Sequence, residues 1–148
     1  RALEEGLPAH TEIDWPANVA RTAHLPPPQH RRFYNAQRFT LNLTREAMRA
    51  TGYAPSVRLF EAAACGTAII SDDWTGLGTF LAVGDEIAVV HDTADALNIL
   101  RHTPDNSRMA MARRARQRVL AEHTAERRAE QLEAYLCEAR EVTCATYR

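Results

Sequence analysis

The chain has 148 residues, enough for one domain with a real core, and its 45% apolar and 25% charged residues are ordinary for a globular protein. A net charge of −1 supplies no field that would draw it to nucleic acid or to a membrane surface. No apolar run approaches the roughly 20 residues that a transmembrane segment needs, and no signal peptide is visible.

In chain order, residues 1–9 are polar and give no clear pattern. Thr11 to Trp15 alternates weakly and predicts a strand that stops at Pro16. Pro26-Pro27-Pro28 predicts an extended polyproline stretch, followed by a short helix over Gln29 to Asn35. Phe39 to Thr44 alternates cleanly and is the clearest strand of the first half. Thr44 is placed to cap a short helix, Arg45 to Ala50, that closes at Gly52.

The stretch from Ser56 to Ser71 organises the rest. Pro55 and Ser56 suit a helix start, Gly66 suits its end, and Thr67-Ala-Ile-Ile70 is a short apolar run of the kind buried on both faces of a parallel sheet. Leu77 to Leu81 reads as a further helical turn, Gly84-Asp-Glu86 as a turn, and Ile87 to Val90 as another buried strand. Asp92 or Thr93 caps a helix with Leu97 and Leu100 expected on its inner side. Thr103-Pro104 then opens a long helix with Ala112, Ala115 and Val119 as its stripe and Arg113, Arg114, Arg116 and Arg118 mostly outside. A second long helix, Thr124 to Ala139, is expected to turn Ala125, Ala129, Leu132 and Leu136 inward. Strands alternating with helices predict an α/β fold, a Rossmann-like three-layer sandwich with a mostly parallel sheet and two long C-terminal helices. Residues 1–148 read as a single domain. The chain starts at Arg1 in the middle of polar sequence and is expected to be a piece of something longer.

In an open parallel sheet, ligands sit beyond the carboxyl ends of the strands, near helix N-termini. That rule selects the segments from Asn42 to Arg45, from Tyr53 to Arg58 and from Ser71 to Gly78. Backbone N–H groups at Ser56 and Val57, with Arg45 and Arg58 nearby, make a plausible diphosphate site. Surface arginines beside an ordinary helix cap are the competing reading. Glu61, four residues after Val57, shares that residue's face of the helix. A carboxylate there either accepts hydrogen bonds from a ribose diol or forms an i,i+3 ion pair with Arg58. Asp72 and Asp73 read as loop and cap residues, and no metal site is expected. The six histidines are scattered without ligand spacing, and His123 is expected to make a structural contact. Gly76-Leu-Gly78 is two-thirds of a dinucleotide fingerprint and a weak sign of NAD. The arginines from Arg113 to Arg118 read as a solvated face. Cys65, Cys137 and Cys144 leave an odd thiol if two pair, which points to a reducing, cytoplasmic setting.

Taken together, Phe39-Thr-Leu-Asn-Leu-Thr-Arg45, Pro55-Ser-Val-Arg-Leu-Phe-Glu-Ala-Ala-Ala-Cys-Gly66, Ile69-Ile-Ser-Asp-Asp-Trp-Thr-Gly-Leu77, Gly84-Asp-Glu86 and the later His123-Thr124 with Arg127 resemble the C-terminal half of bacterial GT-B glycosyltransferases. The likeness is greatest to the group related to spore-maturation glycosyltransferases, and it spans residues 11–136. It implies a donor-binding domain for a nucleoside-diphosphate sugar that needs no metal or other cofactor. Glu61 would then hold the donor ribose. Ser56, Val57, Arg58 and Arg45 would lie near the diphosphate, and Asn42, Thr44 and Tyr53 would line the cleft. Many retaining members carry a second glutamate eight positions earlier, and here that position is Tyr53. The resemblance also implies a partner domain, an N-terminal acceptor-binding domain, without which no turnover is expected. The alternative is a noncatalytic Rossmann-like interaction or regulatory module that docks through its arginine-rich C-terminal helices.

Overall fold

A computed structural model of the chain describes residues 15–20, 22 and 24–146, with residues 141–146 described by backbone alone. Among the described residues three parallel strands form the sheet: β1 (Phe39–Asn42), β2 (Ala68–Asp72) and β3 (Ala88–Val90), in that order across it. Phe39 pairs with Ala68 and Asn42 with Ser71, while Ile70 pairs with Ala88 and Asp72 with Val90. The register brings Asn42, Asp72 and Val90 to one edge, the carboxyl edge where a site is expected.

Among the described residues the helices are α1 (Pro27–Asn35), α2 (Glu46–Thr51), α3 (Val57–Ala64), α4 (Thr93–His102), α5 (Asp105–Glu122) and α6 (Ala125–Thr146), with a 3₁₀ turn at Leu77–Thr79. Successive residues of β2 point to opposite faces, and both faces are covered. Ile69 joins Leu59, Ala62 and Ala63 of α3 and Ala115 and Val119 of α5 in the larger core. Ile70 turns the other way and packs with Ala88, Val90, Ala96 and Ile99 beneath α4. Small side chains at Ala62, Ala63, Ala112 and Ala115 let α3 and α5 approach closely. This is the expected Rossmann-like α/β sandwich, with the two long C-terminal helices in place.

Gly66 shows why the helix-to-strand passage from α3 to β2 is so short. At φ +75 it takes the left-handed conformation, its N–H reaches Ala63 O at 2.8 Å, and the next N–H reaches Ala62 O at 2.9 Å. Two carbonyls at the end of α3 are thereby satisfied, and the chain turns directly into β2.

Several local expectations are corrected. Pro26 is extended, but Pro27 and Pro28 already belong to α1, whose first turn needs no N–H from them. Thr44 does not cap α2. Arg45 occupies the N-cap position with no side-chain cap, because the Thr44 hydroxyl and N–H are engaged by Asp72. On α4 the inward residues are Ala96 and Ile99, while Leu97 and Leu100 are exposed. On α6, Ala125, Ala129, Leu132 and Leu136 are exposed like the rest of residues 125–140. Both sheet faces are already covered by α3, α5 and α4, so among the described residues α6 finds no core to join.

The arginines of α5 are also more than a solvated face. Arg116 Nε donates to Ala64 O at 3.0 Å, Arg114 donates to Asp85 O, and Arg118 Nε donates to Glu86 Oε2 at 2.6 Å. They tie α5 to the end of α3 and to the Gly84–Glu86 turn. The expected strand at 11–15 lies outside the described residues except for Trp15.

Candidate functional site

The carboxyl edge of the sheet opens into a groove of about 760 Å³ lined by Thr44, Glu46, Arg49, Ala50, Asp73, Trp74 and Thr75. Its floor is built by cross-strand hydrogen bonds. Asn42, fully buried at the end of β1, donates through Nδ2 to Ser71 Oγ at 3.0 Å. Asp72, at the end of β2, accepts from Thr44 N at 3.0 Å and from Thr44 Oγ1 at 2.9 Å, and its other oxygen lies 3.7 Å from Arg49 Nε. Asp72 is therefore a brace that fixes the segment leaving β1 against the segment leaving β2.

Two buried polar atoms at this edge have no partner among the described residues: Asn42 Oδ1 and Trp74 Nε1. A buried indole N–H or amide oxygen left without an acceptor or donor costs about 1–3 kcal/mol, and such atoms are rare in native folds. Trp74, one of the two, lines the groove.

Tyr53 forms one rim. It sits at φ 50, where non-glycine residues are strained, and its N–H donates to Thr75 O at 2.7 Å. Its ring lies over Gly76 so closely that a Cβ there would come within 2.5 Å of it. The loop from Gly52 to Tyr53 thus locks onto the loop from Thr75 to Gly76.

From this rim the chain enters α3. Ser56 Oγ accepts from Arg58 N at 3.3 Å, a serine N-cap as the sequence predicts. Val57, Arg58 and Arg45 are exposed. Glu61 follows one turn further on, half-buried, and its carboxylate is not paired with Arg58. Oε2 accepts from the Tyr34 hydroxyl at 3.1 Å, and Oε1 lies 3.2 Å from His30 Nδ1. Both partners come from α1. Burial, with help from the Glu61 hydrogen bond, pushes the Tyr34 phenol up to about 12. His30 is held above its ordinary value, first by its hydrogen bond to the Leu25 carbonyl and then by Glu61.

Of the residues predicted from sequence, Thr44 lines the groove, Tyr53 stands at its rim and Asn42 lies beneath it. Ser56 is the half-buried cap of α3 and Val57 and Arg58 its exposed first turn, with Glu61 on the side of α3 that meets α1. Sequence reasoning missed His30, Tyr34, Arg49 and Trp74. His30 and Tyr34 carried a usable signal, since residues four apart share a helical face.

The family of glycosyl transferase-like proteins matches residues 3–134. The chain belongs to that family. A solved structure of sucrose-phosphate synthase from Thermosynechococcus elongatus is similar, with a TM-score of 0.56 over 76% of this chain and 19% sequence identity. At that identity the likeness is one of fold, and this glycosyl transferase-like chain covers 27% of the synthase chain. No curated protein matches the chain. Among the described residues, no helix is long and apolar enough to cross a membrane.

Proposed function

We propose that the chain is the donor-binding part of a metal-independent glycosyltransferase of GT-B architecture, which moves a sugar from a nucleoside diphosphate to an acceptor. The finer placement, near the spore-maturation group and as the C-terminal half of a two-domain enzyme, rests on the motifs from Phe39 to Glu86 and His123 to Arg127 taken together, and the cytoplasmic setting rests on the odd number of cysteines. The observation that carries the reading is Glu61: a half-buried carboxylate, held in one orientation, one turn beyond the serine-capped start of α3.

In this reading the Glu61 carboxylate accepts from the ribose diol. The exposed start of α3, with Ser56, Val57, Arg58 and Arg45, meets the diphosphate. As the glycosidic bond breaks, negative charge grows on the leaving diphosphate. The positive end of α3 and the guanidinium groups stabilise that charge more strongly than they stabilise the bound donor, which lowers the barrier. Tyr53, standing where many retaining members have a glutamate, alters what meets the transferred sugar.

The test is calorimetric titration of UDP, GDP, ADP and dTDP into the full-length protein and its Glu61→Ala variant. One nucleotide is expected to bind, and the variant to bind it at least about tenfold more weakly, as loss of a charge-assisted pair of hydrogen bonds requires. Binding that the substitution leaves unchanged would remove Glu61 from the site.

A further inference from the structure

His30 faces two acceptors and no donor among its described polar contacts. Nδ1 lies 3.2 Å from Glu61 Oε1 and Nε2 lies 2.9 Å from the Leu25 carbonyl oxygen. A neutral imidazole carries one N–H and satisfies only one of them, whereas an imidazolium donates to both. Tyr34, 5% exposed, donates to the other carboxylate oxygen of Glu61, and its ring stands edge-on to His30 with centroids 6.2 Å apart. Each carboxylate oxygen thus receives one donor from α1. Each has a second acceptor site still available, and 35% of the Glu61 side chain remains exposed.

We propose that His30 and Tyr34 are positioning residues for Glu61, clamping its carboxylate so that the remaining acceptor sites meet a ribose diol, with His30 acting as a doubly donating cation. This rests on the reading of Glu61 as the ribose contact. It adds that donor affinity is set by a proton on α1, outside the helix that carries the glutamate.

The charged and titratable groups around His30 agree with this assignment. From α3 it faces Glu61, the one anion of the group among the described residues. Arg58 on the same helix acts on Tyr34, and Cys65 feels the Glu61 charge. On α1 the neighbours are Tyr34 and Arg31. The hydrogen bonds to Leu25 and Glu61 raise His30 above its ordinary value of 6.5. The doubly donating form is therefore complete below that ordinary value, and His30 gives up one of its two hydrogen bonds as pH rises through the raised one.

The experiment titrates the full-length protein with whichever of UDP, GDP and ADP it binds, and with the 2′,3′-dideoxy form of that nucleotide, from about pH 6 to about pH 8.5. Wild type is compared with His30→Gln, Tyr34→Phe and Glu61→Gln. Titration of the ligand's own phosphate is common to all four proteins and cancels in the affinity ratios. At the acid end, His30→Gln is expected to weaken ribonucleotide binding by about three- to tenfold, the coupling usual for groups in one hydrogen-bonded network. That penalty shrinks as pH rises through the raised His30 value, where wild type gives up the proton and one of its two hydrogen bonds. Tyr34→Phe weakens binding by a similar factor throughout, because the phenol does not titrate in this range. Neither substitution alters affinity for the dideoxy nucleotide.

A His30→Gln penalty that is absent, or constant with pH, or equal for the dideoxy probe, overturns the positioning role. If Glu61→Gln itself leaves ribonucleotide binding intact, the ribose reading beneath it falls instead, and the two failures are distinct. A folding defect betrays itself in thermal melts of each variant.

Discussion

Gly76 offers a quantitative test of the rim of the groove. Its φ of +98 lies where a side chain is strained, and an added Cβ would fall 2.5 Å from Tyr53 Cδ1 and 2.9 Å from Cε1 and Cγ. Gly76→Ala therefore carries two separable costs. Forcing alanine into a left-handed conformation costs about 1–2 kcal/mol. Displacing the Tyr53 ring costs about 1–2 kcal/mol more, at the lower end of overpacking penalties because the ring is exposed and is free to swing outward. The sum, about 2–4 kcal/mol, corresponds to a fall of roughly 1–2 M in the urea midpoint for a slope of about 2 kcal/mol/M. Tyr53→Gly removes the ring and relieves the strain of a tyrosine at φ 50. In that background Gly76→Ala should cost only its backbone share, about 1–2 kcal/mol, so the double-mutant cycle should show a coupling of about 1–2 kcal/mol. Urea unfolding followed by far-UV circular dichroism measures all four corners. An equal cost of Gly76→Ala in both backgrounds would refute the argument that the Tyr53 ring, and not the backbone alone, demands glycine at 76.

Further outcomes follow from other contacts. Arg118→Met leaves the buried Glu86 carboxylate with only the Ala82 N–H at 2.7 Å, and should cost about 1–3 kcal/mol in urea unfolding. The double variant Arg118→Met, Glu86→Gln should cost less than the sum of the two single changes. Leu59, with no exposed surface at the centre of α3, should cost about 2–5 kcal/mol when replaced by alanine. The Arg108 and Arg38 guanidiniums hold the Asp105 carboxyl below its ordinary 3.8. Stability from this group is present above the unfolded value and disappears as pH falls through the depressed one, so Asp105→Asn should destabilise at pH 7 and destabilise progressively less as pH falls below 3.8 in matched urea titrations. Burial first, and the Glu61 charge second, push the Cys65 thiol up, so iodoacetamide followed by mass spectrometry should modify exposed Cys137 faster than Cys65.

The core was legible because local and global signals agree there. Thr67-Ala-Ile-Ile70 is apolar on both sides because both sides are covered, and the three-to-four spacing of Ala112, Ala115 and Val119 marks a stripe that α3 and β2 fill. Where legibility failed, an apolar spacing was present without the partner it implied. Leu132 and Leu136 on α6 have the spacing of a buried face and lie exposed, since no amphipathic pattern records whether a surface to bury it against exists within the same chain. On α4 the error was one of phase: Leu97 is larger than Ala96 and Leu100 equals Ile99 in size, yet the side facing Ile70 and Val90 is fixed by where Asp92 caps the helix.

The site was legible in its backbone and illegible in its side-chain partners. A serine cap, a glycine stop and a parallel strand are local features, so Ser56, Gly66 and the carboxyl edge could be placed from spacing alone. Glu61 could not, because its two rival readings, ion pair or ligand contact, both looked along α3. The structure answers from a different helix, 27 and 31 residues away in sequence. Such contacts depend on how α1 lies against α3, which no residue of α3 encodes. The answer also alters what the carboxylate is. An exposed i,i+3 pair with Arg58 would be worth a few tenths of a kcal/mol and leave Glu61 free to sample rotamers. Donors on both oxygens, one of them from a buried tyrosine, remove that freedom before any ligand arrives. A preorganised carboxylate would lose less entropy on meeting a diol, so under the proposed reading of Glu61 the clamp from α1 would serve binding as well as the packing of two helices.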